Sequence, residues 1–163
     1  MKKPTENPGL NHLDDKGDPM MVDISTKTPT TRIAKAEAVV IFPPEVFAAL
    51  SQSGWQSAKG SVWQTAVIAG TQAVKKTSEL IPFCHPLAIE RCKFAKEEVD
   101  EGLRLICEVG VSHKTGVEME ALTGVSVAAL TIIDMCKALS ADITIERVRL
   151  LEKVGGKRTI SRE

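Results

Sequence analysis

The chain has 163 residues, and its 21 Lys and Arg balance 21 Asp and Glu, so the formal net charge is zero. That length holds one domain with a real core, and the balance gives no bias toward nucleic acid or a membrane surface. Aromatic residues make up 4% and Tyr is absent, which argues against a base-stacking surface. The four cysteines, Cys84, Cys92, Cys107 and Cys136, show no C-x-x-C spacing. Reduced thiols are the plain reading of that pattern. No apolar h-region follows the first charges, so no secretory signal and a cytoplasmic location are expected.

Residues 1–20 are polar, rich in Pro and Gly and without periodicity, and predict a mobile N-terminal tail in which His12 is a solvated side chain. Met21 to Thr31 is linker-like and carries Asp23 and Lys27. From Arg32 to Phe42, Ala34, Ala36, Ala38, Val40 and Phe42 fall on alternate positions, which predicts a strand. Pro43 and Pro44 end it, and Pro44 can open a short helix over Glu45 to Leu50. A second helix follows Lys59-Gly60. Ser61 and Gln64 have capping-box spacing there, and Ala66, Ala69, Gly70 and Ala73 give it a small-residue face that admits a close neighbour. Lys75 and Lys76 at its end suit the helix dipole.

Pro82 and Pro86 bracket Phe83-Cys84-His85 and fix the shape of that loop. A rigid loop holding Cys and His is a good place for chemistry, and equally a structural turn. Leu87 to Val99 and Leu103 to Val111 read as a hairpin about the turn at Asp100-Glu101-Gly102. Then comes His113 to Leu139, which predicts one long helix. Thr115 and Glu118 suggest a capping box, and apolar residues on nearly every side suggest cover on more than one face. A last strand, Asp142 to Leu151, carries a slip in alternation near Glu146, before a glycine-rich basic tail. The order strand, helix, helix, strand, strand, helix, strand is β-α-β-β-α-β with an extra short helix. It predicts an α+β, ferredoxin-like fold with helices on one face of an antiparallel sheet.

Four charges interrupt the long helix: Glu118, Glu120, Asp134 and Lys137. Asp134 and Lys137 share a face, either as an ordinary i,i+3 ion pair or as a desolvated acid/base pair. Lys59 before a helix start is either a surface residue or an anion contact. Cys84 lacks a nucleophile signature. Adjacent Cys-His without a second pair lacks the spacing of a structural metal site. The first turn, with Glu118 and Glu120, and the far end, with Asp134 and Lys137, lie about 20 Å apart at 1.5 Å per residue, so a long ligand, a neighbouring chain or both must span them.

Longer stretches carry more than spacing. Lys59-Gly60-Ser61-Val62, residues 69–87 (AGTQAVKKTSELIPFCHPL), residues 114–139 (KTGVEMEALTGVSVAALTIIDMCKAL) and residues 149–157 (RLLEKVGGK), with Met21 to Ser25 and Arg32, resemble the molybdenum cofactor biosynthesis protein C family. The resemblance covers roughly residues 20–157, making 21–157 one catalytic domain and 158–163 a C-terminal tail. It implies a lyase that converts a 3′,8-cyclised 7,8-dihydroguanosine 5′-triphosphate to cyclic pyranopterin monophosphate, releasing pyrophosphate. No redox cofactor is implied, and magnesium is admitted only with the triphosphate. Matched residue by residue, Asp134, Lys137 and Lys59 take catalytic positions. Phe83, Cys84, His85, Met119 and Glu120 take positions that hold the substrate, and Glu118 lines the same site. Arg32, Lys27 and Lys75 take cationic positions suited to the triphosphate, with Lys153 and Lys157 added from the tail. The family assembles as a hexamer of dimers with shared sites, and neither nucleic acid nor membrane is implied as a partner. Two departures stand out: Ser61 replaces the usual Asp, and Lys153-Val154-Gly155-Gly156-Lys157 replaces a Lys-Ser-Gly-Gly-Lys tail. A contrasting expectation from fold alone is a non-catalytic ferredoxin-like module that binds a metabolite or RNA.

Overall fold

The structure is a computed structural model that describes residues 16–100, 102–156 and 159–162. The expectations for His12, Glu101 and Lys157, and for most of the N-terminal tail, lie outside the described residues. In chain order the elements are β1 (Thr30–Ile41), α1 (Pro44–Gln52), β2 (Gln56–Ser57), β3 (Gly60–Ser61), α2 (Val62–Lys75), α3 (Thr77–Leu80), β4 (Arg91–Val99), β5 (Gly102–His113), α4 (Glu118–Cys136), β6 (Thr144–Val154) and β7 (Ile160–Ser161).

Period-two alternation builds the sheet. Ala34, Ala36, Ala38 and Val40 of β1 and Leu103, Leu105, Cys107 and Val109 of β5 all point inward and are fully buried. The sheet is antiparallel in the order β4-β5-β1-β6-β7. Four strands in that order with two helices in the crossovers are the ferredoxin-like arrangement, α+β as expected. The slip near Glu146 is a bulge: Val39 pairs with Arg147 and Val40 with Ile145, so Glu146 has no partner in β1. A second bulge falls at Leu151, between the pairs Lys35–Glu152 and Ala36–Leu150.

α2 and α4 pack side by side on one face. The small-residue face of α2 sets their approach. A Cβ on Gly70 would lie 2.9 Å from the Gly124 carbonyl, and one on Gly124 would lie 2.7 Å from a Val74 methyl. Any larger residue at this crossing forces the helices apart. Pro44 opens α1 as the first helical residue, and Ser61 caps α2 by accepting from the Gln64 amide at 3.3 Å.

Three expectations change. The Thr115–Glu118 capping box does not form: α4 starts at Glu118 without a side-chain cap, because the Glu118 carboxylate is drawn to Lys153 instead. The strand predicted from Leu87 begins only at Arg91, as the loop fixed by Pro82 and Pro86 delays pairing. The chain past Leu151 is no free tail. β6 runs on to Val154, and Ile160 and Ser161 fold back to pair with Lys153 and Glu152. The long helix is covered on more than one face, as expected, by the sheet and by α2, and is open elsewhere. Leu130 is 57% exposed, Met119 is exposed, and Ile68 of α2 is 61% exposed on the same layer.

The opposite sheet face carries charges in rows. Arg91, Glu108, Lys35 and Glu152 form one chain of ion pairs across four strands. In a second row Glu97 pairs with Arg104, which also reaches Glu37 at 2.6 Å. Arg149 and Arg147 reach Glu37 at 2.7 and 3.0 Å from the other side. Glu37 has no exposed surface. Burial works against its charge, but the hydrogen bonds from Arg149 and Arg104 outweigh it and hold the carboxyl below the usual range.

Candidate active site

A cavity of about 660 Å³ opens at the N-terminal end of α4. Three parts of the chain wall it. The Pro82–Pro86 loop contributes Phe83, Cys84 and His85; the start of α4 contributes Glu118, Met119 and Glu120; and the stretch after the N-terminal residues contributes Val22, Ile24 and Lys27. That last stretch is strapped across the loop by distant partners. His85 Nε2 lies 2.8 Å from the Val22 carbonyl oxygen, and Lys114 Nζ donates to the Ser25 carbonyl at 2.7 Å. Asp23 accepts from the Ser25 amide at 2.8 Å and shapes the bend between them.

Cations and acids share the walls. Arg32, Lys114 and Lys153 join Lys27 in the lining. Arg32 is aimed by its Nε donating to the His113 carbonyl at 3.2 Å. Beside it the backbone turns at Gly155 and Gly156, with φ of 93° and 80°. Both conformations call for glycine, and Gly155 needs it twice over, since a Cβ there would strike the Thr31 carbonyl, while one at Gly156 would displace the Arg32 guanidinium. Lys153 is paired with Glu118. Glu120, only 4% exposed, has no such cation among the described residues. Burial pushes its pKa up to about 7, and the Glu118 charge adds to the shift. Burial also raises the Cys84 thiol, with Glu120 adding to it, so Cys84 is held as a neutral thiol rather than a thiolate nucleophile.

A second cluster sits at the far end of the same helix. Lys137 Nζ lies 2.7 Å from Asp134 Oδ1 and Lys59 Nζ lies 3.2 Å from Oδ2. Lys59 also donates to the Asp134 carbonyl at 2.9 Å, capping the end of α4. Lys137 first and Lys59 second hold the Asp134 carboxyl below the usual range. The Asp134 side chain is 56% exposed, so the desolvated form of this pair is not realised within one chain. Asp134 stands sixteen positions after Glu118 along the helix, about 24 Å at 1.5 Å per residue.

These two half-sites, on one helix with this loop between two prolines, can be set against known proteins. Residues 21–156 match the MoaC family. The chain belongs to that family. A relative from Xanthomonas campestris pv. campestris (strain 8004), named cyclic pyranopterin monophosphate synthase, is 56% identical over 164 residues, covering 98% of each chain. One of the same name from Xanthomonas axonopodis pv. citri (strain 306) is 58% identical over 152 residues, covering 93% of this chain and 92% of its own. A molybdenum cofactor biosynthesis bifunctional protein from Synechocystis sp. is 50% identical over 158 residues, covering 93% of this chain and 45% of its own.

Within this family member, nine residues singled out from sequence meet at the cavity: Lys27, Arg32, Phe83, Cys84, His85, Glu118, Met119, Glu120 and Lys153. Lys59, Asp134 and Lys137 meet at the other end of α4. Lys75 joins neither group. It lies at the end of α2, where its charge acts on Cys92. Sequence reasoning did not single out the strap residues Val22 and Ile24, or Lys114, while Gly156 stood out only as part of a glycine-rich tail able to wrap a phosphate. Only Lys114 left a usable signal, a lysine four residues before Glu118 at the start of the acidic turn. The strap is made by contacts across 63 and 89 residues, which no local pattern announces.

Proposed function

We propose that the chain is a cyclic pyranopterin monophosphate synthase, a lyase of molybdenum cofactor biosynthesis. The observation that carries this reading is the cavity of about 660 Å³, which joins four cations to a buried carboxyl that titrates near neutrality. A 3′,8-cyclised dihydroguanosine triphosphate needs both. Lys27, Arg32, Lys114 and Lys153 neutralise the triphosphate, and the stable pyrophosphate leaving group forms among them as a substrate hydroxyl closes on the α-phosphorus. Phe83 and Met119 supply apolar contact for the base. Glu120, with a pKa near the working pH, takes and returns protons during imidazole ring opening and pterin ring formation. Burial keeps water from competing with it. His85, bound through Nε2 to the strap, is held in the cavity wall where it can contact the substrate.

Asp134, Lys137 and Lys59 complete the site from a neighbouring copy. Two observations support that arrangement. The distance along α4 is too great for a substrate of this size, and the helical layer exposes Ile68, Met119 and Leu130. The proposed assembly is a hexamer built from dimers, in the cytoplasm. α4 is long and apolar enough to cross a membrane, but half of it is buried inside this fold. Lys75 stays in the proposal only as a distant cation. Magnesium would arrive with the triphosphate as part of the substrate. Incubating the protein with the cyclised triphosphate and analysing the mixture by mass spectrometry tests the reading. Pyrophosphate and cyclic pyranopterin monophosphate are expected. An intact substrate at saturating protein would leave a metabolite binder in place of the lyase.

A further inference from the structure

Lys59 is carried on the β2–β3 hairpin, and that hairpin has one buried anchor. Between Leu50 and Val62, Trp55 alone is buried, and its exposure is 2%. The tip at Ala58, Lys59 and Gly60 is open to solvent. Trp55 closes the base of the hairpin through its backbone: its amide donates to the Leu50 carbonyl at 2.8 Å, and its carbonyl accepts from the Val62 amide at 2.9 Å. Its side chain is held from several directions. The indole Nε1 donates to Glu98 Oε1 at 2.7 Å, while the other Glu98 oxygen accepts from Ser51 at 3.0 Å. The ring packs edge-on against Phe42 and Phe47, at 5.5 and 6.0 Å between centroids. Lys96 Nζ lies 5.2 Å from the Trp55 ring and 5.8 Å from that of Trp63 at the start of α2.

The backbone at this residue shows what the side chain imposes. Trp55 has φ of 62°, and it is the only non-glycine residue with positive φ among the described residues. A bulky side chain disfavours that conformation, which persists only where the surroundings fix it. The contacts of Lys59 with Asp134 cannot be what fixes the hairpin. Both side chains are more than half exposed, and exposed ion pairs hold little.

We propose that Trp55, clamped by Glu98 and Lys96, is a positioning residue that presents Lys59 to Asp134. This rests on the catalytic reading of Lys59 given above. It predicts a kinetic coupling between two residues that share no side-chain contact.

The test compares Trp55→Ala, Lys59→Ala and the double variant in the full-length assembly, with kcat and KM measured on the cyclised triphosphate. Trp55→Ala is expected to lower kcat about tenfold or more, as a misplaced catalytic group does, with KM little changed because the cation-lined cavity is untouched. In the Lys59→Ala background the same change is expected to have almost no further effect. Trp55→Phe and Glu98→Gln leave the aromatic cluster in place and guard against misfolding. Each is expected to give a smaller kcat loss that also vanishes in that background, with faster amide exchange at Gly60 and Ser61 and unchanged exchange in α4. Losses that multiply with Lys59→Ala, a change confined to KM, or wild-type kcat in all three Trp55 and Glu98 variants would overturn the positioning role. If Lys59→Ala itself keeps wild-type kcat, the catalytic reading of Lys59 fails and the positioning role falls with it. A loss in Lys59→Ala without coupling overturns the positioning role alone.

Discussion

The two ends of α4 hold acids in opposite states. At the N-terminal end Glu120 is enclosed, has no cation bonded to it among the described residues, and binds its proton up to about pH 7. At the C-terminal end Asp134 stands in solvent between two lysines and gives its proton up early. Burial wins at one end and pairing at the other. The enclosed end is finished within one chain, in the sense that its walls and its charge state are both set. The open end already has its charge pattern but lacks walls. A neighbouring copy that brings the cavity to Asp134 would desolvate this cluster and strengthen every interaction in it.

The largest effect is expected at the open end. Asp134→Ala should lower kcat roughly 10³-fold while leaving the melting temperature nearly unchanged, because the carboxylate is exposed. Mixing the Asp134→Ala chain with an inactive cavity variant, by co-refolding, should restore part of the activity, since hybrid sites draw one intact half from each. No recovery would mean that both halves serve one chain, and the comparison would break.

Glu120→Gln sharpens the enclosed end. The Glu120 pKa rises from its ordinary 4.5 to about 7 on folding, so the folded chain binds the extra proton between those values. Its contribution therefore favours folding at low pH, and stability is lost as pH rises from about 4.5 through 7. Removing the charge should flatten that fall. At pH 8 the Gln variant should gain up to roughly 3 kcal/mol over the wild type, at 1.36 kcal/mol per pKa unit, and at pH 4 almost nothing. Urea midpoints across that range decide it, and parallel pH curves for the two proteins would show that Glu120 is not desolvated. Gly124→Val tests the helix crossing that sets both ends in place. It should cost about 1–3 kcal/mol by overpacking, read by thermal melting, since Val74 and Cys107 already stand within 3.0 Å of the added carbon. The smallest effect is expected for Lys153→Ala. Losing one of several cations should raise KM about tenfold with kcat almost constant, and added salt should narrow the gap.

Local pattern made the sheet readable. Alternation in β1 and β5 marked the buried face, and the break near Glu146 marked a bulge before any pairing was known. Prolines at 82 and 86 located the loop that walls the cavity, and the run from 114 to 139 located both half-sites. What stayed hidden depends on partners far along the chain. Glu37 looked like any outward residue of β1, yet three arginines from β5 and β6 cover it. Glu118 had the spacing to cap its own helix, but Lys153 offers a charge where the cap offers only an amide. The strap at Val22 to Lys27 has no periodicity because it forms local turns rather than a regular element, and what ties it to the cavity are His85 and Lys114, far along the chain. Trp55 gave no signal because left-handed backbone is expected of glycine, and Gly54 stands beside it.

The charge rows on the far face of the sheet bear on how a substrate arrives. The first row, with two cations and two acids, cancels over a few ångströms, and the second, with three arginines against Glu97 and Glu37, leaves one positive charge in excess, so beyond a screening length of about 8 Å in physiological salt that face presents only a weak field. The molecule as a whole is neutral. The cations around the cavity, with fewer acids between them, are then the main source of potential that a polyanion meets on approach. Capture should therefore be directional, guided to one opening rather than to the surface at large, and its rate should fall with ionic strength.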